Sequence, residues 1–465
     1  MNRFILCLIL LAGPLHVPLS GSLAAQEARV PQSRAEISLS FAPLVRDAAP
    51  AVVNIYARRV VQTRSPFADD PLFNNFFDAF PSRPRVQNSL GSGVILSPDG
   101  IVVSNYHVVG QATDIRVVLN DRREFDARVL LADEEADLAI LQLEGAQDMP
   151  HLPLRDSDTV EVGELVLAIG NPFGVGQTVS SGIISGLARS GTATGNARGY
   201  FIQTDAPINP GNSGGALIDV GGRLIGVNTS ILTRSGGSNG IGFAIPSALV
   251  AQFVEQAEAG NTRFQRPWAG ISGQPVDADL SESLGLALPG GVLISALHPD
   301  SPFAAAGLAR GDVVLSVDGQ PVNTPPEMIY RMSVRGIGRA ADMIYSRQGE
   351  QRVAQVRLIA PPDSPPREAI DLGEMTALPG LRVGRANPAV AAELGLPVEA
   401  EGIVVLDPGP FGAQVGLQTG DRLLGVNGRR IEATRDVDRL LRGTGPVVQI
   451  EVMRENRRLL LRFRA

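Results

Sequence analysis

Cysteine is almost missing from this chain, with a single residue, Cys7, in 465. A disulfide framework, a thiol nucleophile and a cysteine-ligated metal centre all need thiols in the folded part of the chain, so all three are excluded. Histidine is nearly as scarce, at 4 residues, which leaves few candidates for proton transfer. No metal site and no cofactor is expected. Excess positive charge is also lacking. The formal net charge is -7, which argues against a nucleic-acid partner, since that needs a basic face. Long apolar runs are absent beyond Phe4–Ala12. That run follows Arg3, is broken by Gly13, Pro14 and Pro18, and leads to the small residues Ser22-Leu23-Ala24-Ala25. It is too short to span a bilayer comfortably and reads as a cleaved signal peptide, residues 1–25. An exported chain is the expectation.

What is present fits a globular protein. Hydrophobic residues make up 44% and charged residues 19%, and the length suggests about two to four domains. From Ala49 to Ile245 short β-branched runs alternate with Gly-rich turns, the pattern of an antiparallel barrel or sandwich. Ser247–Ala259 has helical spacing, with Ser247 as expected N-cap and Gly260 after its end. It closes a first domain at 36–259. Within that domain residues 62–86 form an insert carrying Phe67, Phe73, Phe76, Phe77 and Phe80, which calls for a packing partner, either its own domain or another subunit.

The rest is an internal repeat. Gly307-Leu308…Gly311-Asp312…Asp318-Gly319 matches Gly416-Leu417…Gly420-Asp421…Asn427-Gly428, and Leu284-Gly285-Leu286 matches Leu394-Gly395-Leu396. The period of roughly a hundred residues is too long for a solenoid unit. Two tandem domains, 262–360 and 370–465, are expected, joined by a stiff, exposed linker at Pro361-Pro362-Asp363-Ser364-Pro365-Pro366.

Chemistry concentrates in Asn209-Pro210-Gly211-Asn212-Ser213-Gly214-Gly215. The glycines permit backbone angles that display a hydroxyl and aim N–H groups at one point, as an acyl-transfer nucleophile requires. The same residues also suit an ordinary turn, so the partners decide. Of the three histidines beyond the leader, His151 sits between prolines and His298 lies in the repeat; His107 alone ends a strong strand in the β domain. Asp137 opens the apolar run Leu138–Leu141, whereas Asp133, Glu134 and Glu135 read as solvated. The order His107, Asp137, Ser213 is that of chymotrypsin, not of subtilisin or the α/β-hydrolases, which disfavours an esterase-like hydrolase. Expected roles are Ser213 as nucleophile, His107 as base, Asp137 as orienter, and the Gly211 and Ser213 N–H groups as oxyanion donors. Ile208, Ile241, Gly242 and Phe243 are candidates for a pocket suited to small aliphatic side chains. Asp205 reads as a loop-anchoring acid.

Gly91-Ser92-Gly93-Val94, Asn105-Tyr106-His107-Val108-Val109, Asp137-Leu138-Ala139, Gly170-Asn171-Pro172-Phe173-Gly174 and Gln203-Thr204-Asp205 before the serine loop together resemble the HtrA family of envelope serine proteases. Tyr106 stands where the family usually has Asn. The resemblance implies a mainly β fold, a chymotrypsin-like double β-barrel followed by two tandem PDZ domains (α+β). It implies ATP-independent cleavage of unfolded or damaged proteins in the periplasm, trimers or multiples of trimers, and chaperone action in some members. The insert would then be a regulatory loop, and Arg189–Gly199 and Leu232–Gly240 would switch the site on and off. The first PDZ domain would capture C-terminal peptides at Trp268-Ala269-Gly270-Ile271 with Met328 and Ile329 on the facing helix. In the second, Pro379 removes a donor, so poor peptide binding and a role in assembly are expected. A chaperone or scaffold with a dormant protease site is the competing reading.

Overall fold

The computed structural model describes residues 40–61, 85–171, 176–190, 200–209, 211–231, 240–442 and 445–464. The leader, most of the Phe-rich insert, Pro172–Gly174, Pro210 and most of the two switching loops lie outside the described residues. Six strands form a first closed barrel, in the order β1-β2-β3-β6-β5-β4: β1 (Val52–Val61), β2 (Arg85–Ile95), β3 (Ile101–Ser104), β4 (Asp114–Val118), β5 (Glu124–Asp133) and β6 (Leu138–Leu143). A helical turn, α1 (Tyr106–Val109), follows β3. A second closed barrel has the order β10-β11-β12-β9-β8-β7, from β7 (Leu165–Gly170), β8 (Thr178–Ser190), β9 (Tyr200–Thr204), β10 (Ala216–Asp219), β11 (Leu224–Ile231) and β12 (Gly242–Pro246).

Small residues let these barrels close. A Cβ on Gly93 would lie 2.8 Å from Ile55 Cδ1 and 2.9 Å from Val102 Cγ1, and one on Gly91 would lie 2.7 Å from Val108 Cγ2. Strand alternation then sorts side chains. Phe243 and Ile245 of β12 point into a core shared by both barrels, with Val52, Ile140 and Phe253, while Ala244 joins Ile208 inside the second barrel. Each large side chain so buried contributes about 1.5–3 kcal/mol. Phe253 lies on α2 (Ser247–Glu258), the helix closing this part of the chain. Ser247 is not its cap. The cap position is Pro246, the Ser247 hydroxyl donates to the Arg155 carbonyl, and Ser157 Oγ accepts from the Ala248 N–H instead.

The first repeat copy is a sheet ordered β13-β14-β15-β17-β18, with β16 beside β15. Its strands are β13 (Ile271–Pro275), β14 (Val292–Leu297), β15 (Val313–Val317), β16 (Gln320–Pro321), β17 (Ala340–Arg347) and β18 (Glu350–Arg357), and α3 (Pro325–Arg335) packs across it. The outer face of α3 meets the second barrel. Tyr330 stacks on Tyr200 with ring centroids 3.8 Å apart, and Arg331 donates to the Tyr200 hydroxyl at 2.6 Å and pairs with Asp158. Burial raises the Tyr330 phenol well above its ordinary range, so it stays neutral.

The second copy runs β19 (Ile370–Asp371), β20 (Arg382–Arg385), β21 (Ile403–Asp407), β22 (Arg422–Val426), β24 (Val447–Arg454) and β25 (Arg457–Arg464), with β23 (Arg429–Arg430) beside β22. The two copies fix the turns before β15 and β22 alike. Buried Asp312 accepts from the Ala309 N–H and from Arg347, and buried Asp421 accepts from the Gln418 N–H and from Arg454. Asp363 to Pro366 of the linker are exposed, as expected, but the linker is not free-standing. Pro362 and Pro365 carbonyls accept from Ala389 N–H and Asn387 Nδ2, which lay it on the second copy.

Candidate active site

The first barrel supplies an acid and a base through two short local devices. Asp133 Oδ1 accepts from the Ala136 N–H at 2.7 Å, and the Asp137 N–H donates to the Glu134 carbonyl at 3.2 Å. This tight turn leaves Asp137 at φ 54°, a left-handed conformation that Asp tolerates better than most residues. Asp133 is not solvated as its sequence neighbourhood suggested. Arg266, in the segment leading to the first repeat copy, grips it with contacts of 2.6 and 2.9 Å. Asn105 Nδ2 donates to the Asp137 carbonyl, and α1 then turns His107 toward the carboxylate. The His107 backbone N–H donates to Asp137 Oδ1 at 3.0 Å, and Nδ1 lies 2.9 Å from both carboxylate oxygens. A proton on Nδ1 leaves Nε2 as the basic nitrogen. His107 is half exposed at 51%, against 20% for Asp137, so the base faces the solvent side and its orienter lies behind it.

The second barrel supplies the hydroxyl. Ser213 Oγ donates to the Thr229 carbonyl at 2.8 Å, and Thr229 Oγ1 donates to Asp137 Oδ2 at 2.6 Å. One residue of β11 thus ties the serine to the acid. Ser213 has one hydroxyl proton, and here it is engaged by Thr229. The loop itself fits only glycines. A Cβ on Gly214 would lie 2.0 Å from the Ser92 carbonyl oxygen, and one on Gly170 would lie 2.4 Å from Asn212 Oδ1, which also accepts from Thr178 Oγ1. Gly211 sits at φ 97°, open only to glycine without strain.

The other candidate residues divide. Ile208 and Gly242 are brought together: a Cβ on Gly242 would lie 2.7 Å from Ile208 Cδ1. Phe243 is not beside them. It is 1% exposed and points to the opposite side of β12, into the shared core, because neighbouring strand residues face opposite ways. Ile241 packs partly against that same core. Asp205 Oδ1 accepts from the Ile183 N–H at 2.7 Å. His151 Nδ1 lies beside the Met149 carbonyl, and His298 packs edge-on against Trp268. In the first copy Trp268, Ala269 and Gly270 precede the edge strand β13, which Ile271 begins, and the Ser301 hydroxyl donates to the Ala269 carbonyl. Met328 is not a groove residue. It is 1% exposed in the core with Val292 and Phe303, and Ile329 packs at that core's margin. Thr229 escaped sequence reasoning, and Asn105 and Ser92 stood in the quoted motifs without a role, because each acts on residues tens of positions away.

Two barrels that meet at a His–Asp pair and a serine loop, followed by two small repeat domains, define a trypsin-like serine endopeptidase with appended PDZ domains. Family models agree: a trypsin-like peptidase domain matches residues 91–227, and PDZ domains match 261–358 and 402–454. The chain is 35% identical to the periplasmic pH-dependent serine endoprotease DegQ of Escherichia coli, covering 91% of each chain. It is 33% identical to the periplasmic serine endoprotease DegP of the same organism, covering 98% of each. Among solved structures, the HtrA-type protease AlgW with a decapeptide matches with a TM-score of 0.52 at 38% identity, over 70% of this chain and 99% of that one. The chain belongs to the HtrA family of periplasmic serine endoproteases, in its DegP/DegQ group.

Proposed function

We propose that Ser213 attacks the peptide carbonyl of unfolded or damaged envelope proteins, with His107 as general base and then general acid. Asp137 holds the imidazole tautomer and stabilises the imidazolium, and the Gly211 and Ser213 N–H groups receive the oxyanion. The observation that carries this reading is the continuous chain His107–Asp137–Thr229–Ser213, which draws on both barrels. Small aliphatic side chains in the substrate remain part of this proposal, with Ile208 itself 1% exposed in the second barrel's core against Gly242. The protein works without ATP, in the periplasm after removal of its leader, as a trimer or a multiple of trimers. The first PDZ domain takes C-terminal peptides on the open edge of β13; the similar protease AlgW has been solved with a decapeptide. The second serves assembly.

The engaged Ser213 hydroxyl favours a second state alongside this one. With the Ser213 hydroxyl donating to the Thr229 carbonyl, the site is at rest and the chain can hold unfolded protein as a chaperone. Attack requires the hydroxyl to turn to His107 Nε2. The test is digestion of a chemically unfolded protein by the wild type and by Ser213→Ala. Loss of all cleavage in the variant, with cuts after small aliphatic residues in the wild type, supports the assignment; equal cleavage by both ends it. Suppressed aggregation by both, without cleavage, would favour the chaperone reading.

A further inference from the structure

Ser92 is completely buried, although its side chain is polar and lies in a barrel strand. Its hydroxyl donates to the Gly211 carbonyl at 2.7 Å and accepts from the Asn171 N–H at 2.9 Å. Its backbone N–H donates to the Ser213 carbonyl at 2.8 Å, and its own carbonyl accepts from the Ser104 hydroxyl at 2.8 Å. Every polar group of Ser92 is therefore satisfied, and three of the four bonds cross between the barrels. Gly214 allows the serine loop to meet β2, since a Cβ there would lie 2.0 Å from the Ser92 carbonyl oxygen.

The two carbonyls that Ser92 holds belong to Gly211 and Ser213, the residues whose N–H groups receive the oxyanion in the function proposed above, on which this inference rests. The Asn212 N–H donates to the Asn209 carbonyl at 3.0 Å, and Gly211 sits at φ 97°. The Ser92 hydroxyl clamps the peptide that follows Gly211, so rotation about the Gly211 backbone has a fixed end. The Ser92 N–H clamps the peptide that follows Ser213. Glycine gives the loop freedom to take several shapes; Ser92 selects one.

We propose that Ser92 is the positioning residue of the oxyanion site, setting the Gly211 and Ser213 donors from the opposite barrel without touching substrate. A group that acts this way affects the tetrahedral state more than the bound substrate. The test compares wild type, Ser92→Ala and Ser92→Cys, full-length, for peptide cleavage and for affinity toward a peptide boronic acid, which forms a tetrahedral adduct with the nucleophile. Ser92→Ala is expected to lower kcat by about 100-fold, in the range seen when one oxyanion donor is lost. Boronate affinity should fall in parallel, while KM stays within about twofold, as loss of an interaction made only in the transition state requires. Ser92→Cys keeps the size and a weak donor and should fall between. The proposal is overturned if kcat and boronate affinity both stay within about threefold of wild type. It is also overturned if both Ser92 variants lose kcat, KM and thermal midpoint together, as a purely structural residue would. Ser213→Ala is run beside them: if that variant keeps activity, the nucleophile assignment fails on its own, whatever Ser92 does.

Discussion

The two PDZ domains share a repeat, a turn geometry and a buried aspartate–arginine clamp, yet their ligand edges differ. In the first, β13 is the last strand of its sheet, and no described strand lies beside its outer edge. In the second, the matching strand β20 carries β19 on that edge, antiparallel, with Ile370 opposite Val383 and Asp371 opposite Arg382. The Gly380 N–H, in the loop that would receive a carboxylate, donates to the Leu372 carbonyl at 2.8 Å, and the Leu372 N–H donates to the Leu381 carbonyl at 2.9 Å. The incoming chain thus occupies the place where PDZ domains add a peptide strand. The sequence pointed to Pro379 as the reason for weak binding; the covered edge is a second obstacle. The first domain is set apart in another way, since Tyr330 and Arg331 fasten its helix to the second barrel.

The largest expected effect separates the two edges. In a Ser213→Ala background a labelled peptide with a free C-terminus binds one site per chain, by fluorescence anisotropy with stoichiometric titration. Ile271→Pro should weaken that binding at least about tenfold by removing an edge N–H, while Arg382→Pro leaves it unchanged. Asp371→Pro sharpens the contrast: if β19 is the obstacle, a second site opens, and if Pro379 is, the stoichiometry stays at one. Next comes the docking of the first domain. Tyr330→Ala removes a buried stacked ring, at a cost of about 2–4 kcal/mol. Protease nicking in the segment 260–267 should accelerate, and unaltered nicking would argue that the stack holds nothing.

The smallest effect is one of pH. The Asn387 amide, with Arg367 beside it, holds the Asp363 carboxyl below its usual value, on the linker laid against the second domain. A lowered native value gives stability that is present above the unfolded carboxylate value of about 4 and lost as pH falls through the native one. Acid should therefore loosen this linker, seen as lost exchange protection, relative to intrinsic rates, at the amides of Asp363, Ser364 and Arg367 below about pH 4. Asp363→Asn should remove that dependence. Exposure of Asp363 keeps the effect small.

Much of the site was legible in residue order. His107, Asp137 and the Gly-rich serine loop could be chosen because histidine is rare, the β domain is well marked and each sits at a strand end. What failed did so where a side chain's direction matters. Phe243 and Met328 have suitable chemistry for a pocket and a groove, but alternation on β12 and packing of α3 turn both into cores. Asp133 lies among acids and reads as solvent-facing, yet Arg266, more than a hundred residues later, covers it. Ser247 looks like a cap, but it is the first residue of the helix and Pro246 holds the cap position.

By itself the sequence determined the strand-rich character, the tandem repeat, the exclusion of thiol chemistry, and which serine, histidine and aspartate are available. These follow from local period, composition and spacing. Only the tertiary structure decided that Thr229 joins the acid to the serine, that Ser92 holds the serine loop from the other barrel, and that β19 covers the second PDZ edge. Each of these depends on hydrogen bonds between segments far apart in the chain, whose geometry is set by barrel closure and sheet order, and no local pattern encodes it.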